Sequence, residues 1–242
     1  MKIFDFSLIF LIRNVSKKGK DGIIKVVSRM LKSINGLNVN YVSYGKKGTK
    51  EIVFLHGWGQ NIEMMRPVGD NLEKEYHITI IDLPGFGRSE EPKYVFSLFD
   101  YVELLHQLLI ELEIKKPILA GHSFGGKISL LYASKYDVEK LILFGSPFRP
   151  GLKKMPLKTK ILKSIKKLPG MEKLASEAKK HIGSTDYRNA SPLMRKIMVD
   201  HVNLDITEEV KEIKAPTIII WGDLDQAVPL QEAYVLENLI SD

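Results

Sequence analysis

The chemistry-bearing residues of this 242-residue chain centre on Ser123, within Gly121-His122-Ser123-Phe124-Gly125. An unassisted hydroxyl is a weak nucleophile, so a reactive serine needs a backbone that projects it and groups that activate it. The apolar run Pro117-Ile118-Leu119-Ala120 precedes the pentapeptide and Gly126-Lys127-Ile128-Ser129-Leu130-Leu131 follows it. This pattern predicts a strand turning sharply into a helix with the serine at the corner. Glycines on both sides allow strand and helix to approach closely. The helix start would aim main-chain N–H groups at charge forming beside the hydroxyl. Two other readings compete. The pentapeptide alone occurs often as an ordinary loop. Residues Gly121 to Lys127 also match a phosphate-binding Gly-x-x-x-x-Gly-Lys, which fails at Ile128, where a Ser or Thr should reach magnesium.

The elements that must position Ser123 alternate between strands and helices. Ile24 to Ile34 and Leu37 to Tyr44 read as strands around the hairpin signal Asn35-Gly36. Glu51 to Leu55 predicts a strand running into His56-Gly57-Trp58-Gly59, and His77 to Ile81 another ending at Asp82-Leu83-Pro84-Gly85. Helical spacing covers Ile62 to Leu72 and Phe96 to Leu112, with Leu98, Val102, Leu105 and Leu109 on one face of the second. After the Ser123 turn come a helix through Tyr132, a strand over Val138 to Phe144, and a return to the sheet over Lys214 to Gly222. Continuous apolar strands separated by helices predict an α/β fold, a mainly parallel central sheet covered by helices on both faces. Ligand chemistry then belongs at the carboxyl ends of the strands, where His56-Gly57-Trp58-Gly59, Ser123 and Asp225 all fall.

Charge and composition set the remaining bounds. The chain has no cysteine, which excludes disulfides, thiolate metal sites and a cysteine nucleophile and fits a cytoplasmic setting. Its six histidines show no metal-ligand spacing, so no metal and no cofactor is expected. Of the net charge of +7, residues 149–180 hold eleven Lys and Arg against Glu172 and Glu177, leaving the rest slightly acidic. Charge confined to one segment argues against nucleic-acid binding. Residues 148–205, rich in lysine and punctuated by Pro150, Pro156, Pro169-Gly170, Gly183 and Pro192, read as an inserted helical cap. The core would comprise residues 21–147 and 206–242. Residues 1–20 form an apolar and basic extension whose run Leu8 to Ile12 is too short to span a membrane. We expect it to dock on the domain surface, with weak peripheral membrane association as the alternative.

Four motifs in order, His56-Gly57-Trp58-Gly59, Asp82-Leu83-Pro84-Gly85-Phe86-Gly87-Arg88-Ser89, Gly121-His122-Ser123-Phe124-Gly125-Gly126 and Trp221 to Pro229, carry a resemblance. Across residues 34 to 242 the chain resembles the α/β-hydrolase superfamily, in particular its capped esterase-like members. The resemblance implies Ser123 as nucleophile, the main-chain N–H groups of Trp58 and Phe124 as the oxyanion hole, and Asp225 as the triad acid. Asp223 is the rival acid, but the family's Gly-x-x-Asp spacing from Gly222 selects Asp225. His56 and Asp82 are expected to be structural. The implied reaction is hydrolysis of a small-molecule carboxylic ester or thioester through an acyl-enzyme. A non-catalytic binding protein and carbon–carbon hydrolase or perhydrolase chemistry are the alternatives. The basic cap suggests attraction to an anionic acyl carrier or a membrane surface, against the plainer reading of a solvated helical face.

The family places its histidine after the acid, and residues 226–242 contain none. The first expectation is that the segment holding the histidine, with a last strand and helix, is missing from the sequence. That would leave a sheet edge and apolar surface uncovered. The second is that His201 or His181 swings in from the cap, and the third is a non-catalytic relative.

Overall fold

Alternating apolar strands and amphipathic helices form the expected three layers in the computed structural model, which describes residues 3–5, 28–151 and 185–240. Eight strands build one sheet: β1 (Ile3–Asp5), β2 (Arg29–Ile34), β3 (Leu37–Gly45), β4 (Glu51–Leu55), β5 (His77–Ile81), β6 (Ile118–His122), β7 (Lys140–Phe144) and β8 (Thr217–Trp221). Their spatial order is β1-β8-β7-β6-β4-β5-β3-β2. All neighbours are parallel except β2 with β3 and β3 with β5. This is the α/β-hydrolase fold that the sequence predicted.

The hairpin joining β2 to β3 turns on Asn35 and Gly36, both at positive φ (50° and 76°), as a two-residue turn matched to strand twist requires. The strand expected from Ile24 begins at Arg29, and residues 24–27 lie outside the described residues. Seven helices are described: α1 (Ile62–Leu72), α2 (Leu98–Glu111), α3 (Phe124–Lys135), α4 (Thr185–Asn189), α5 (Pro192–Asn203), α6 (Thr207–Lys211) and α7 (Gln231–Leu239).

Alternation along the strands divides the core. Val42, Ile52, Phe54, Ile78 and Ile80 face α1, which brings Ile62 and Met65. Val53, Leu55, Leu119, Leu141, Leu143 and Ile219 face the other way, toward α2, α3, α6 and α7. Helix α2 starts on a capping box between Ser97 and Asp100 that satisfies its first free N–H groups. Helix α3 is buried almost all round, from Phe124 to Tyr132. It is therefore the central helix of its layer, and Ser123 stands at its start.

Two segments bear on the expected insertion and extension. Of residues 148–205, expected to form a helical cap, the described residues 185–203 hold α4 and α5, and the larger basic portion, residues 152–184, lies outside the described residues. Residues 3–5 pair in parallel with Ile219–Trp221 on the outer side of β8. The edge expected to be bare thus finds main-chain partners in the chain's own beginning, because a strand edge takes hydrogen bonds from any backbone that reaches it. Among the described residues no helix is long and apolar enough to cross a membrane.

Candidate active site

Ser123 follows directly on β6 and precedes α3, with φ 50° and ψ −108°. Positive φ is rare for a residue with a Cβ, and holding it there stores on the order of 1–3 kcal/mol. The serine stays because its neighbours are fixed: its N–H donates to Phe144 O (2.9 Å), and the Gly125 N–H donates to His56 O (3.1 Å). The flanking glycines are sterically required. A Cβ at Gly121 would lie 2.5 Å from Gly125 O, one at Gly125 would lie 2.5 Å from Leu55 O, and one at Gly126 would collide with the Ser146 hydroxyl. Although Ser123 is the N-cap of α3, its hydroxyl makes no capping bond, so it is not consumed by the helix.

The loop after β4 wraps the serine from one side. His56 is fully buried and accepts the Leu83 N–H at Nε2 (3.0 Å), which leaves Nδ1 as the proton carrier, donating to Gly57 O at 2.7 Å. Both ring nitrogens are thereby occupied, and burial pushes the imidazole pKa down, holding it neutral. Its role is to tie this loop to the loop after β5. Gln60 Oε1 accepts the Gly57 N–H (3.0 Å) and faces His122 Nδ1 at 3.1 Å, linking the loop to the residue before Ser123. The main-chain N–H groups of Trp58 and Phe124 have no acceptor among the described residues. The Trp58 ring meets Phe86 (4.9 Å, 79°) and Phe124 (5.1 Å, 67°) edge to face, forming an aromatic wall.

Asp82 is structural in geometry. It is fully buried, and its carboxylate accepts from the Ile62 N–H (2.7 Å), the Asn40 amide (2.7 Å) and the Arg88 N–H (2.8 Å). These bonds fix the start of α1 and the turn after β5, leaving no role for Asp82 in proton transfer.

Asp225 stands in the turn after β8. Its Oδ1 accepts the N–H groups of Ala227 (2.8 Å) and Val228 (2.9 Å). Oδ2 faces Gly145 at the end of β7, 3.3 Å from the position a Cβ would take there. The turn thus anchors one oxygen and leaves the other toward the strand ends. Asp225 is also close enough to His122 to raise its pKa, although burial outweighs this and lowers it overall. Asp223 is exposed. Among the described residues no cluster of His, Asp and Glu could hold a metal ion.

His201 lies near the end of α5, 8% exposed, stacked on Trp58 and 4.5 Å from the Phe124 ring centroid. It makes no hydrogen bond to Ser123 or Asp225 among the described residues, and Nδ1 is buried without a partner. Burial, then the charge of Lys127, pushes its pKa down to about 3. A triad base requires a carboxylate to orient it and favour its charged form. His201 has the opposite surroundings and serves as wall rather than base. His181 lies outside the described residues. Sequence reasoning missed Gln60, which belongs to no motif, and the role of Lys127, which it met only as the last residue of a rejected phosphate-loop match; both become visible when α5 and the loop after β4 are placed beside α3.

Residues 50–155 match the family model described as alpha/beta hydrolase fold. The uncharacterized hydrolase YugF of Bacillus subtilis (strain 168) is 26% identical over 227 residues, covering 82% of this chain and 81% of its own. The pimeloyl-[acyl-carrier protein] methyl ester esterase of Wigglesworthia glossinidia brevipalpis is 29% identical over 218 residues, covering 79% and 81%. Among solved structures, a membrane phospholipase A described as a bacterial virulence factor superposes with a TM-score of 0.71 at 22% identity, over 89% of this chain and 76% of its own. Sheet order, the strained serine between β6 and α3, and these likenesses agree: the chain has the α/β-hydrolase fold, and esterases are among the proteins it is similar to.

Proposed function

We propose that the protein is a serine hydrolase of carboxylic esters or thioesters that works through an acyl-enzyme at Ser123. The observation that carries this reading is the serine held at φ 50° with an uncommitted hydroxyl at the start of α3. Ser123 Oγ attacks the carbonyl carbon, and the oxyanion that forms accepts the N–H groups of Trp58 and Phe124. Each such donor is worth about 3 kcal/mol of barrier. The hydroxyl proton passes to a histidine oriented by Asp225 Oδ2 and then to the leaving alcohol or thiol. Water releases the acid by the same steps in reverse order. Residues 226–242 hold no histidine, and none of the described histidines is assigned this role.

The likeness to a pimeloyl-[acyl-carrier protein] methyl ester esterase supports an ester substrate borne on an acyl carrier, and we take that carrier to be anionic. The eleven cations of residues 149–180 supply complementary charge. A cytoplasmic setting, with weak peripheral membrane contact through the basic segment, belongs to the same proposal.

A fluorophosphonate probe tests the nucleophile. Labelling of the wild type that disappears in Ser123→Ala supports the hydrolase. Absence of labelling in the natural full-length protein favours the second reading, a binding protein that keeps the pocket. That reading draws on His201 lying away from hydrogen-bond contact with Ser123. For the anionic carrier, kcat/KM on an anionic thioester should fall steeply with salt while a neutral ester is unaffected.

A further inference from the structure

Lys127 lies four residues beyond Ser123 on α3, where its neighbours from Phe124 to Tyr132 are apolar or small and buried. Its side chain is 1% exposed. A buried ammonium is costly unless hydrogen-bonded, and its donors go to two main-chain carbonyls of the cap: His201 O at 2.7 Å and Leu204 O at 2.5 Å. Both carbonyls belong to the end of α5, where the helix leaves its last C=O groups unpaired and carries partial negative charge. The cation and the helix end complete one another, and the charge of the nearby Asp205 carboxylate also favours the ammonium.

The residue whose carbonyl Lys127 grips is also the residue whose ring forms the wall. The His201 imidazole lies on Trp58 and against Phe124, the two residues proposed to supply the oxyanion donors. The same helix sends Met194 over Gly85, where a Cβ would strike it. Beyond Leu204 the chain is fixed again, by the Ile206 N–H donating to Phe148 O at 2.9 Å. The returning leg of the cap is therefore clamped at its end, and the clamp nearest the serine is Lys127.

We infer that Lys127 is a positioning residue, which couples the returning leg of the cap to the serine's helix and so sets where the His201 ring lies against Trp58 and Phe124, the wall that faces the acyl group. The consequence for acyl selectivity rests on the hydrolase reading above; the mechanical coupling does not.

Hydrogen exchange on the full chain, read by mass spectrometry, tests the coupling. In Lys127→Met the amides of residues 197–206 should exchange about tenfold faster, as expected for losing one to two hydrogen bonds, while β4 to β8 keep wild-type protection. Unchanged exchange in 197–206, or a rise shared equally by the sheet, overturns the inference. If Lys127→Met does not fold, Lys127→Gln decides by the same criterion, since its shorter side chain cannot span both carbonyls. Where the wild type turns over p-nitrophenyl esters, the ratio of kcat/KM for octanoyl over acetyl ester should change by about fivefold in the variant. An unchanged ratio overturns the role in selectivity. A wild type inert to every ester and to the phosphonate refutes the hydrolase reading instead, and the exchange result still decides the coupling.

Discussion

The imidazole of His201 lies flat on the indole of Trp58, with 5.5 Å between ring centroids and 12° between planes. A cap residue thereby forms one surface with the loop that carries a proposed oxyanion donor.

That stacking makes the protein sensitive to acid. His201 titrates near 3 in the folded chain against 6.5 when unfolded, because burial and the Lys127 charge oppose its protonation. Between those values the unfolded chain binds more protons, so the stabilisation is complete above pH 6.5 and is lost as pH falls toward 3. At pH 4 the loss is on the order of 3 kcal/mol. Thermal melts of His201→Phe should show little change at pH 7 and a clear gain over wild type at pH 4. Parallel pH dependence in the two proteins would contradict this.

The backbone of Ser123 predicts a trade between stability and chemistry. At φ 50° glycine carries no Cβ penalty, so Ser123→Gly should melt higher by the equivalent of about 1 kcal/mol and lose all phosphonate labelling. Ser123→Ala should lose labelling without that gain. Equal melting temperatures for the two variants would show that the turn is unstrained.

Asp225 and Asp223 separate on their surroundings. Asp225 is fixed by two N–H donors through one oxygen, whereas Asp223 is exposed. In the natural full-length protein Asp225→Asn should slow phosphonate labelling by about a hundredfold or more, and Asp223→Asn by less than about twofold. The reverse order would move the triad acid to Asp223.

Removing the Asp82 carboxylate should damage folding rather than chemistry. Asp82→Ala strands the Asn40 amide and the N–H groups of Ile62 and Arg88, at a total cost on the order of 3–5 kcal/mol. Its melting temperature should fall by roughly 10 °C, while folded protein at low temperature still labels at Ser123. A wild-type melt would show that these donors find other acceptors.

The core strands and helices were legible because each follows a local rule. Glu51–Leu55 and His77–Ile81 are apolar runs, Ile62–Leu72 has helical spacing, and Asn35-Gly36 has the turn chemistry; the structure places all of them as read. Ser123 was legible through steric necessity, since the glycines around it are those that strand and helix cannot replace. Lys127 was not. A lysine on a helix reads as solvated, and only the carbonyls of residues 201 and 204, far along the chain, explain its burial. The same holds for residues 3–5, too short a run to announce a strand, whose pairing depends on β8. What sequence patterns miss here are contacts whose two halves have no common local rule.

The pairing of Ile3–Asp5 with Ile219–Trp221 also orders the protein's biogenesis. Residues 3–5 leave the ribosome before every other described strand, yet their partners emerge more than two hundred residues later. The outer edge of the sheet cannot be sealed until synthesis has passed β8, and β8 itself docks on β7 only then. Throughout translation the nascent chain therefore carries an unpaired leading segment and a growing sheet with a free edge, the state in which chaperones find strands to hold and neighbouring chains find strands to join.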